Sequence, residues 1–421
     1  MQMKEARQNA NWLHWKNWGK RLDSTRLFTC IQEGVLADAL YEDGKLMELS
    51  LHPLEHASIL GNIYIGKVRN IVKNIQAAFV EIENGMLCYL PFEDAQAPVY
   101  TKPKKEGQPL VQGDELLVQV SREAVKTKQP SVTTKISMNG KYLVFTIGNG
   151  KLGCSGKLSG AEKTRLRQWG QEQKLPEDLG MIIRTNASGV AEEDLNTEFV
   201  RLMEQYTYLK GPATHRTACS CVLRARPAYL SSVLGSRSNF LKEIRTDDKK
   251  IYEELSAFLQ EEMPEDCNKL RFYEDRSYPL KAAWRLEKGM DEALSTKVWM
   301  KSGAYLIIEP TEALTVIDVN TGKCVTGKNK QETIRKINLE AAKETARQLR
   351  LRNLSGIIIV DFVDMEDPED EQRLLETMRE QLKYDPMKAA AIDITSLGLM
   401  EVTRKKQRKT LKEQAKECGI L

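Results

Sequence analysis

Two aspartates that close apolar runs carry the most chemistry in this sequence. Asp318 ends LTVID (314–318) with Asn320 two residues on, and Asp361 ends GIIIVD (356–361) with Asp364 three residues on. A carboxylate at the end of a buried strand is costly unless compensated, and two that meet repel each other. A hard divalent cation answers both, because magnesium takes a few carboxylate oxygens and leaves positions for water and phosphate oxygens. Manganese suits the same oxygen set. In the competing reading one aspartate caps a helix and the other bonds backbone amides. Asn320 adds a neutral donor for a phosphate oxygen.

The flanking sequence positions these residues. GAYLIIEPTEALTVIDVNTGK (303–323) reads as a hairpin whose second strand, 314–319, carries Asp318. QETIRKINLEAAKETARQLRLRN (331–353) has apolar residues near helical spacing and a stop at 353–356, and GIIIVDFVDM (356–365) reads as a fully apolar strand. A strand, helix, strand unit crosses over right-handedly and sets its strands parallel. The C-terminal ends then share one sheet edge, and Asp318 and Asp361 become neighbours.

Residues 61–125 read as four or five short antiparallel strands with a hairpin signal at Asn84-Gly85, which predicts a small barrel. The Pro-, Gly- and Lys-rich stretch 95–113 is a surface loop. Phe79 and Tyr89 fall on neighbouring strands, with Lys67, Arg69, Lys126 and Lys128 around them. Aromatic faces stack unpaired bases and cations follow phosphates, so the barrel suits single-stranded nucleic acid; alternatively both rings are barrel core. Further on, strands are expected at GKYLVFTIGN (140–149) and GMIIRTNASG (180–189), and helices at 161–173 and 191–211. Arg184-Thr185 at a strand end offers a guanidinium and a hydroxyl for a phosphate, or is a surface charge.

The chain has 421 residues, 41% of them hydrophobic, with 63 Lys and Arg against 59 Asp and Glu. That excludes disordered and fibrous classes and allows several domains. The excess of four positive charges equals that of residues 401–417 alone, which carry seven Lys and Arg against three Glu. The run is either a solvated helix face or a phosphate-contacting element. No membrane span is expected, and the charged N-terminus points to a cytoplasmic address. Eight scattered cysteines predict reduced thiols, with His215, Cys219 and Cys221 a weak zinc candidate that lacks a fourth ligand. Trp12, Trp15 and Trp18 predict an N-terminal helix packed on its own protein or docking a partner or lipid surface.

The long motifs TEALTVIDVNTGK (311–323), NLEAAKETARQLRLRNLSGIIIVDFVDM (338–365) and GLMEVTRKK (398–406), with GNIYIGKV, AAFVEI and YLPF in the barrel, resemble the ribonuclease E/G family of bacterial endoribonucleases. The resemblance runs over roughly residues 28–417 and implies an α/β multidomain layout. An N-terminal extension (1–27) precedes an RNase H-like element split between 28–56 and 229–293. An S1 (OB-fold) β-barrel is inserted at 57–134, a 5′-sensor segment follows at 135–228, and a DNase I-like α/β catalytic subdomain at 294–421. Position by position, the resemblance implies that Asp318 and Asp361 are magnesium ligands and Asn320 the donor to the scissile phosphate. Arg184, Thr185 and Val144 would read a 5′-monophosphate, and Phe79, Tyr89 and Lys128 would clamp RNA, with Tyr89 where the family more often has Phe. The implied activity is magnesium-dependent endonucleolytic hydrolysis of single-stranded RNA to 5′-phosphate and 3′-hydroxyl ends, in RNA processing and decay. The family usually continues into a CPxC pair that shares zinc between subunits. This sequence ends three residues after Cys418, so the expectation is no zinc link and any homo-oligomer formed by another surface. The rival is a non-catalytic S1-type RNA-binding protein that has lost productive quaternary structure.

Overall fold

Three consecutive strands between Ser24 and Pro53 begin the first sheet. β1 (Ser24–Gln32), β2 (Val35–Glu42) and β3 (Lys45–Pro53) form an antiparallel meander. Between β2 and β3, Asp43 and Gly44 both have left-handed backbones, φ 48° and 74°, as a tight two-residue hairpin requires. The computed structural model describes residues 23–54, 58–104, 108–124, 129–235, 241–322, 330–406 and 408–421. The Trp-bearing N-terminus, Lys126 and Lys128 lie outside the described residues. Those described fall into two compact units, one of 23–54, 241–257 and 265–421, the other of 58–235 and 258–264.

In the second unit β4 (Ile63–Val72), β5 (Ala77–Glu81), β6 (Leu87–Pro91), β7 (Glu115–Arg122) and β8 (Ser131–Thr133) pair in the order β4-β5-β6-β8-β7 and return to β4, closing a five-stranded barrel. Tyr64, Val68, Val80, Leu90, Leu116 and Val118 fill it. Gly66 is required there, since a Cβ would meet Val118 Cγ2 at 2.8 Å and run into Val80. The Asn84-Gly85 signal is borne out: both residues have positive φ in the turn joining β5 to β6. Beyond the barrel come β9 (Ser137–Asn139), β10 (Leu143–Ile147), β11 (Leu152–Cys154), α1 (Gly160–Glu172), β12 (Leu179–Ile183), α2 (Glu192–Lys210), β13 (Cys221–Leu223) and α3 (Ala228–Gly235). β9 to β12 make a four-stranded sheet whose buried face packs Phe145, Met181, Leu166, Trp169 and Leu202.

The chain then resumes the first sheet. β14 (Leu241–Thr246) pairs parallel to β1 and, after α4 (Lys249–Glu262), β15 (Leu270–Phe272) pairs parallel to β14, giving the order β15-β14-β1-β2-β3. Two short helices follow, α5 (Leu280–Ala283) and α6 (Leu286–Leu294).

The last sheet has six strands in the order β16-β17-β18-β19-β21-β20. They are β16 (Lys297–Trp299), β17 (Tyr305–Pro310), β18 (Leu314–Asn320), β19 (Gly356–Asp361), β20 (Ala389–Ile394) and β21 (Leu399–Arg404). α7 (Lys330–Leu351) connects β18 to β19, and α8 (Pro368–Leu382) precedes β20. The expected crossover is present, because β18 and β19 are the parallel pair. Leu306, Ile317, Val319, Ile358, Val360 and Met400 bury one face against Ile337, Ala341, Leu374 and Met378.

One expectation is corrected on this sheet. Gly356–Asp361, read as a fully apolar and therefore buried strand, alternates: Ile358 and Val360 are buried, but Ile357 is 53% exposed and Asp361 lies exposed. Helices cover one face only, so composition alone over-predicted burial.

Arginines knit the first unit together. Arg350 of α7 bonds Glu42 at 2.9 Å and Glu48 at 2.8 Å, reaching β2 and β3. Arg404 of β21 pairs with Asp385 at 2.7 Å and donates to Leu354 O at 3.0 Å. Arg352 donates to Ser295 O at 2.6 Å. The C-terminal helix α9 (Leu411–Glu417) starts with a Thr410/Glu413 capping box, and its Gln414 Oε1 accepts the Leu51 N–H of β3 at 2.9 Å. The basic run at 401–417 is thus partly scaffold. Among the described residues no helix is long and apolar enough to cross a membrane.

Candidate active site

The parallel pairing of β18 and β19 decides the geometry of the candidate site. Asp318 and Asp361 are direct register partners. Both belong to the face left open by the helices, since Thr315, Ile317 and Val319 on one strand and Ile358 and Val360 on the other point inward. Asn320, two residues after Asp318 and on the same face, donates from Nδ2 to Asp318 Oδ2 at 2.6 Å. Partial desolvation at the sheet edge, then the charges of Asp318 and Asp364, raise Asp361 above the ordinary carboxylate range. No ion pair joins a Lys or Arg to these three carboxylates among the described residues. This is the electrostatic condition a divalent cation relieves. No group of three or more His, Cys, Asp or Glu side chains is placed to hold a metal among the described residues. The edge therefore offers two facing carboxylates and leaves the remaining positions to water and phosphate, a donor set that fits magnesium.

Residues not singled out in the sequence hold this edge. Asn338 of α7, fully buried, grips the segment after Asp361 at both backbone polar groups of one residue: its Nδ2 donates to Val363 O at 2.7 Å and its Oδ1 accepts the Val363 N–H at 3.2 Å. Gly398, φ 78°, lets the turn before β21 pass Asp364, whose Oδ1 would lie 4.0 Å from a Cβ. Gly322, φ 59°, passes Gly303 O, which would stand 2.9 Å from a Cβ. The signal was in the motifs, an Asn inside a helix and glycines beside acidic residues, but none announces which peptide it serves.

In the second unit Val144 of β10 is the register partner of Ile182 of β12, and Arg184 follows two residues on. The Arg184 guanidinium donates through Nη1 to Gly140 O at 2.6 Å. The Thr185 hydroxyl lies 2.8 Å from that of Ser155. Beneath them Glu198, 5% exposed, accepts the backbone N–H groups of Lys141, Tyr142 and Leu143 at 2.8, 2.9 and 2.7 Å. Its burial raises its carboxyl above the usual range despite those bonds, and burial lowers Arg184 below the ordinary guanidinium value against the pull of Glu198. Gly140 is needed because a Cβ would run into the Glu198 carboxylate. The three residues singled out in the sequence are therefore neighbours, with Arg184 anchored and partly buried rather than a loose surface charge.

Phe79 and Tyr89 are register partners with ring centroids 6.1 Å apart in an edge arrangement. Both are half-buried outside the barrel, while Ala78, Val80, Cys88 and Leu90 point inward, so the core reading does not hold. The row continues through Ser131 of β8 to exposed Arg122 of β7. The nearby cations differ from expectation: Lys67 pairs with Glu115 at 3.2 Å and Arg69 with Glu81, because adjacent strands place acids beside them. Cys219 Sγ lies 3.6 Å from Glu81 O, and Cys418 is buried in the core of the first unit.

The chain thus combines a closed small barrel bearing an outward aromatic pair with an α/β sheet whose edge carries facing carboxylates. The family model for the ribonuclease E/G family matches residues 137–407. The chain is 35% identical over 388 residues to ribonuclease G of Escherichia coli (strain K12), covering 89% of this chain and 78% of that protein. It is 34% identical over 403 residues to ribonuclease G of Haemophilus influenzae, covering 93% and 81%. Ribonuclease E of Haemophilus influenzae is 28% identical over 396 residues, 92% of this chain but 42% of that protein. The chain belongs to the ribonuclease E/G family.

Proposed function

We propose that this protein is a magnesium-dependent endoribonuclease that hydrolyses single-stranded RNA to 5′-phosphate and 3′-hydroxyl ends in RNA processing and decay. Its family membership and relatives named ribonuclease G and ribonuclease E support an endoribonuclease. The observation that carries the metal and the chemistry is the register pairing of Asp318 with Asp361 on an open sheet face, with no ion pair to either among the described residues. Asp318 and Asp361 hold the cation. When bound there, magnesium supplies Lewis-acid polarisation of a phosphate oxygen and acidifies a water. Asn320 steadies Asp318 with one amide hydrogen and keeps a second for a phosphate oxygen. Asn338 holds the Val363 peptide and with it the approach of Asp364.

Arg184, Thr185 and Val144 are read as the pocket for a 5′-monophosphate. The guanidinium is fixed on Gly140 O, which leaves its other N–H groups for phosphate. Phe79 and Tyr89 are read as a stacking surface for unpaired bases, which duplexes do not offer. Lys128 keeps its proposed RNA contact from the family resemblance. The 3-2-1-4-5 order of the first sheet supports the RNase H-like reading, and the six-stranded sheet is read as the DNase I-like part.

The testing experiment is incubation of a 5′-monophosphorylated, A/U-rich single-stranded RNA with the protein in magnesium, in chelator, and with the Asp318→Ala variant. Cuts in magnesium alone, absent in the variant and bearing 5′-phosphates, are the expected result; cutting that survives chelation refutes the metal assignment. For the pocket, Arg184→Ala is expected to bring the rates on 5′-monophosphate and 5′-hydroxyl substrates together, a loss of roughly 10-fold in the preference since charge-assisted bonds contribute about 1.5 kcal/mol or more. Equal preference in wild type and variant would remove the pocket from the mechanism.

A further inference from the structure

β16 and β17 carry an aromatic pair that the chemistry above does not use. Trp299 and Tyr305 are register partners, with ring centroids 5.1 Å apart and planes inclined at 60°. The Lys297 ammonium stands between them, 4.0 Å from the indole centroid and 3.7 Å from the phenol centroid. Tyr305 is in turn the register partner of Asn320. Trp299, Tyr305, Asn320, Asp318 and Asp361 therefore share one open face and one edge of the sheet. Trp299 lies two strands from Asn320, about 10 Å at the usual strand spacing of about 4.8 Å.

Trp299 is 63% exposed. An indole left in water forfeits hydrophobic stabilisation, yet this one is not loose: Lys297 and Tyr305 pack against one side of it and leave the rest open. A cation over a ring is an attractive contact, and here it fixes the rotamer of an exposed aromatic before any ligand arrives. A ring held in place costs little ordering on binding. Every nucleobase has a face that stacks on such a ring.

We propose that Trp299, buttressed by Lys297 and Tyr305, is a base-stacking subsite that seats an unpaired base of the RNA close to the scissile bond. The inference rests on the reading of the Asp318/Asp361 edge as the site of cleavage. It assigns a second stacking element to the sheet that carries the carboxylates, separate from the Phe79/Tyr89 row on the barrel. The subsite selects for a stackable, unpaired base at one position relative to the cut and is indifferent to which base it is.

The test uses the full chain and a single-stranded RNA with one cleavage position, in which each nucleotide near the cut is replaced in turn by an abasic residue. One abasic position is expected to raise KM of the wild type roughly 10-fold, the lower part of the range for loss of one base stack. Trp299→Ala is expected to raise KM by a similar factor on the intact RNA and to show no further loss at that abasic position. Trp299→Phe keeps a ring and is expected to recover most of the affinity, a rescue that a merely structural role would not produce. An abasic scan identical in wild type and Trp299→Ala overturns the proposal, as does an unchanged KM. If Trp299→Ala does not fold, the wild-type scan and Trp299→Phe still decide, since a flat scan alone refutes stacking. If the wild type does not cleave at all, the reading of the carboxylates fails, and RNA affinity by fluorescence anisotropy decides separately: a roughly 10-fold loss in Trp299→Ala upholds stacking. Unchanged affinity with a shift in oligomeric state on size exclusion would assign the face to a second copy of the chain and overturn the inference.

Discussion

Asp361→Asn is expected to lower the rate of RNA cleavage by on the order of 10³-fold while RNA affinity stays within about threefold. The substitution is nearly isosteric and removes one of two facing carboxylates at the β18/β19 edge. Polarisation by a held cation is a matter of several kcal/mol, and each 1.36 kcal/mol is a factor of ten in rate. The Phe79/Tyr89 pair proposed to stack bases is untouched, so binding measured in the absence of cleavage separates the two effects. Equal loss of binding and cleavage would show that the carboxylate pair is a structural element instead. A dependence on pH accompanies this. Asp361 sits above the ordinary carboxylate range, through desolvation first and then Asp318 and Asp364, so it takes up a proton more readily than a free aspartate. Cation binding must displace that proton, and the magnesium concentration for half-maximal cleavage is expected to rise as the pH is lowered. The Asp361→Asn protein lacks that dependence on residue 361.

The second large effect is on stability. Arg26 of β1 and Asp38 of β2 form a bidentate pair inside the first sheet, Nε to Oδ1 at 2.6 Å and Nη2 to Oδ2 at 2.9 Å, both side chains buried, with His52 Nε2 3.8 Å from Asp38. Asp38→Asn removes the bidentate counter-charge of a buried guanidinium and leaves Glu48 as a remaining carboxylate acting on it, which costs about 3 kcal/mol, the lower end for a broken buried pair. At about 2–4 °C per kcal/mol for a unit of this size, a fall in melting temperature on the order of 10 °C is expected by calorimetry. A shift of under about 2 °C would show that the pair contributes little. The same pair sets the acid limit. Burial alone would raise Asp38, but Arg26 and His52 outweigh it and hold the carboxyl below the usual range, and Arg350 with Arg26 does the same for Glu48. A folded pKa below the unfolded one means that the unfolded state binds more protons in acid. The stability from both groups is therefore complete above the unfolded carboxylate values of about 4 and is lost as the pH falls below them through the lower folded values. Melting temperature against pH is expected to bend downward there in the wild type and less so in Asp38→Asn.

The arginines of QLRLRN show what motif reading alone misses. Their charges are spent within the fold, since Arg350 and Arg352 are tied to Glu42, Glu48 and a backbone carbonyl, and Arg404 of the basic C-terminal run is tied to Asp385. Sequence records the charge of a side chain and not the acid that folding sets beside it. The same holds for Lys67 and Arg69, paired with Glu115 and Glu81 across strands.

The sequence by itself determined the local elements and their order: the barrel strands, the hairpin turns with their left-handed residues, and the strand, helix, strand unit whose handed crossover brings Asp318 to Asp361. Those follow from short-range periodicity, turn chemistry and chain chirality, all of which are written in neighbouring residues. Only the tertiary structure decided which face of each strand is covered. A period of two sorts side chains into two sets without saying which set meets helices, and that choice placed Phe79 and Tyr89 outside the barrel and Asp361 and Trp299 on one open face. It also decided that Asn338 would hold the Val363 peptide, because the partner lies 25 residues away and is reached only when α7 packs on the sheet.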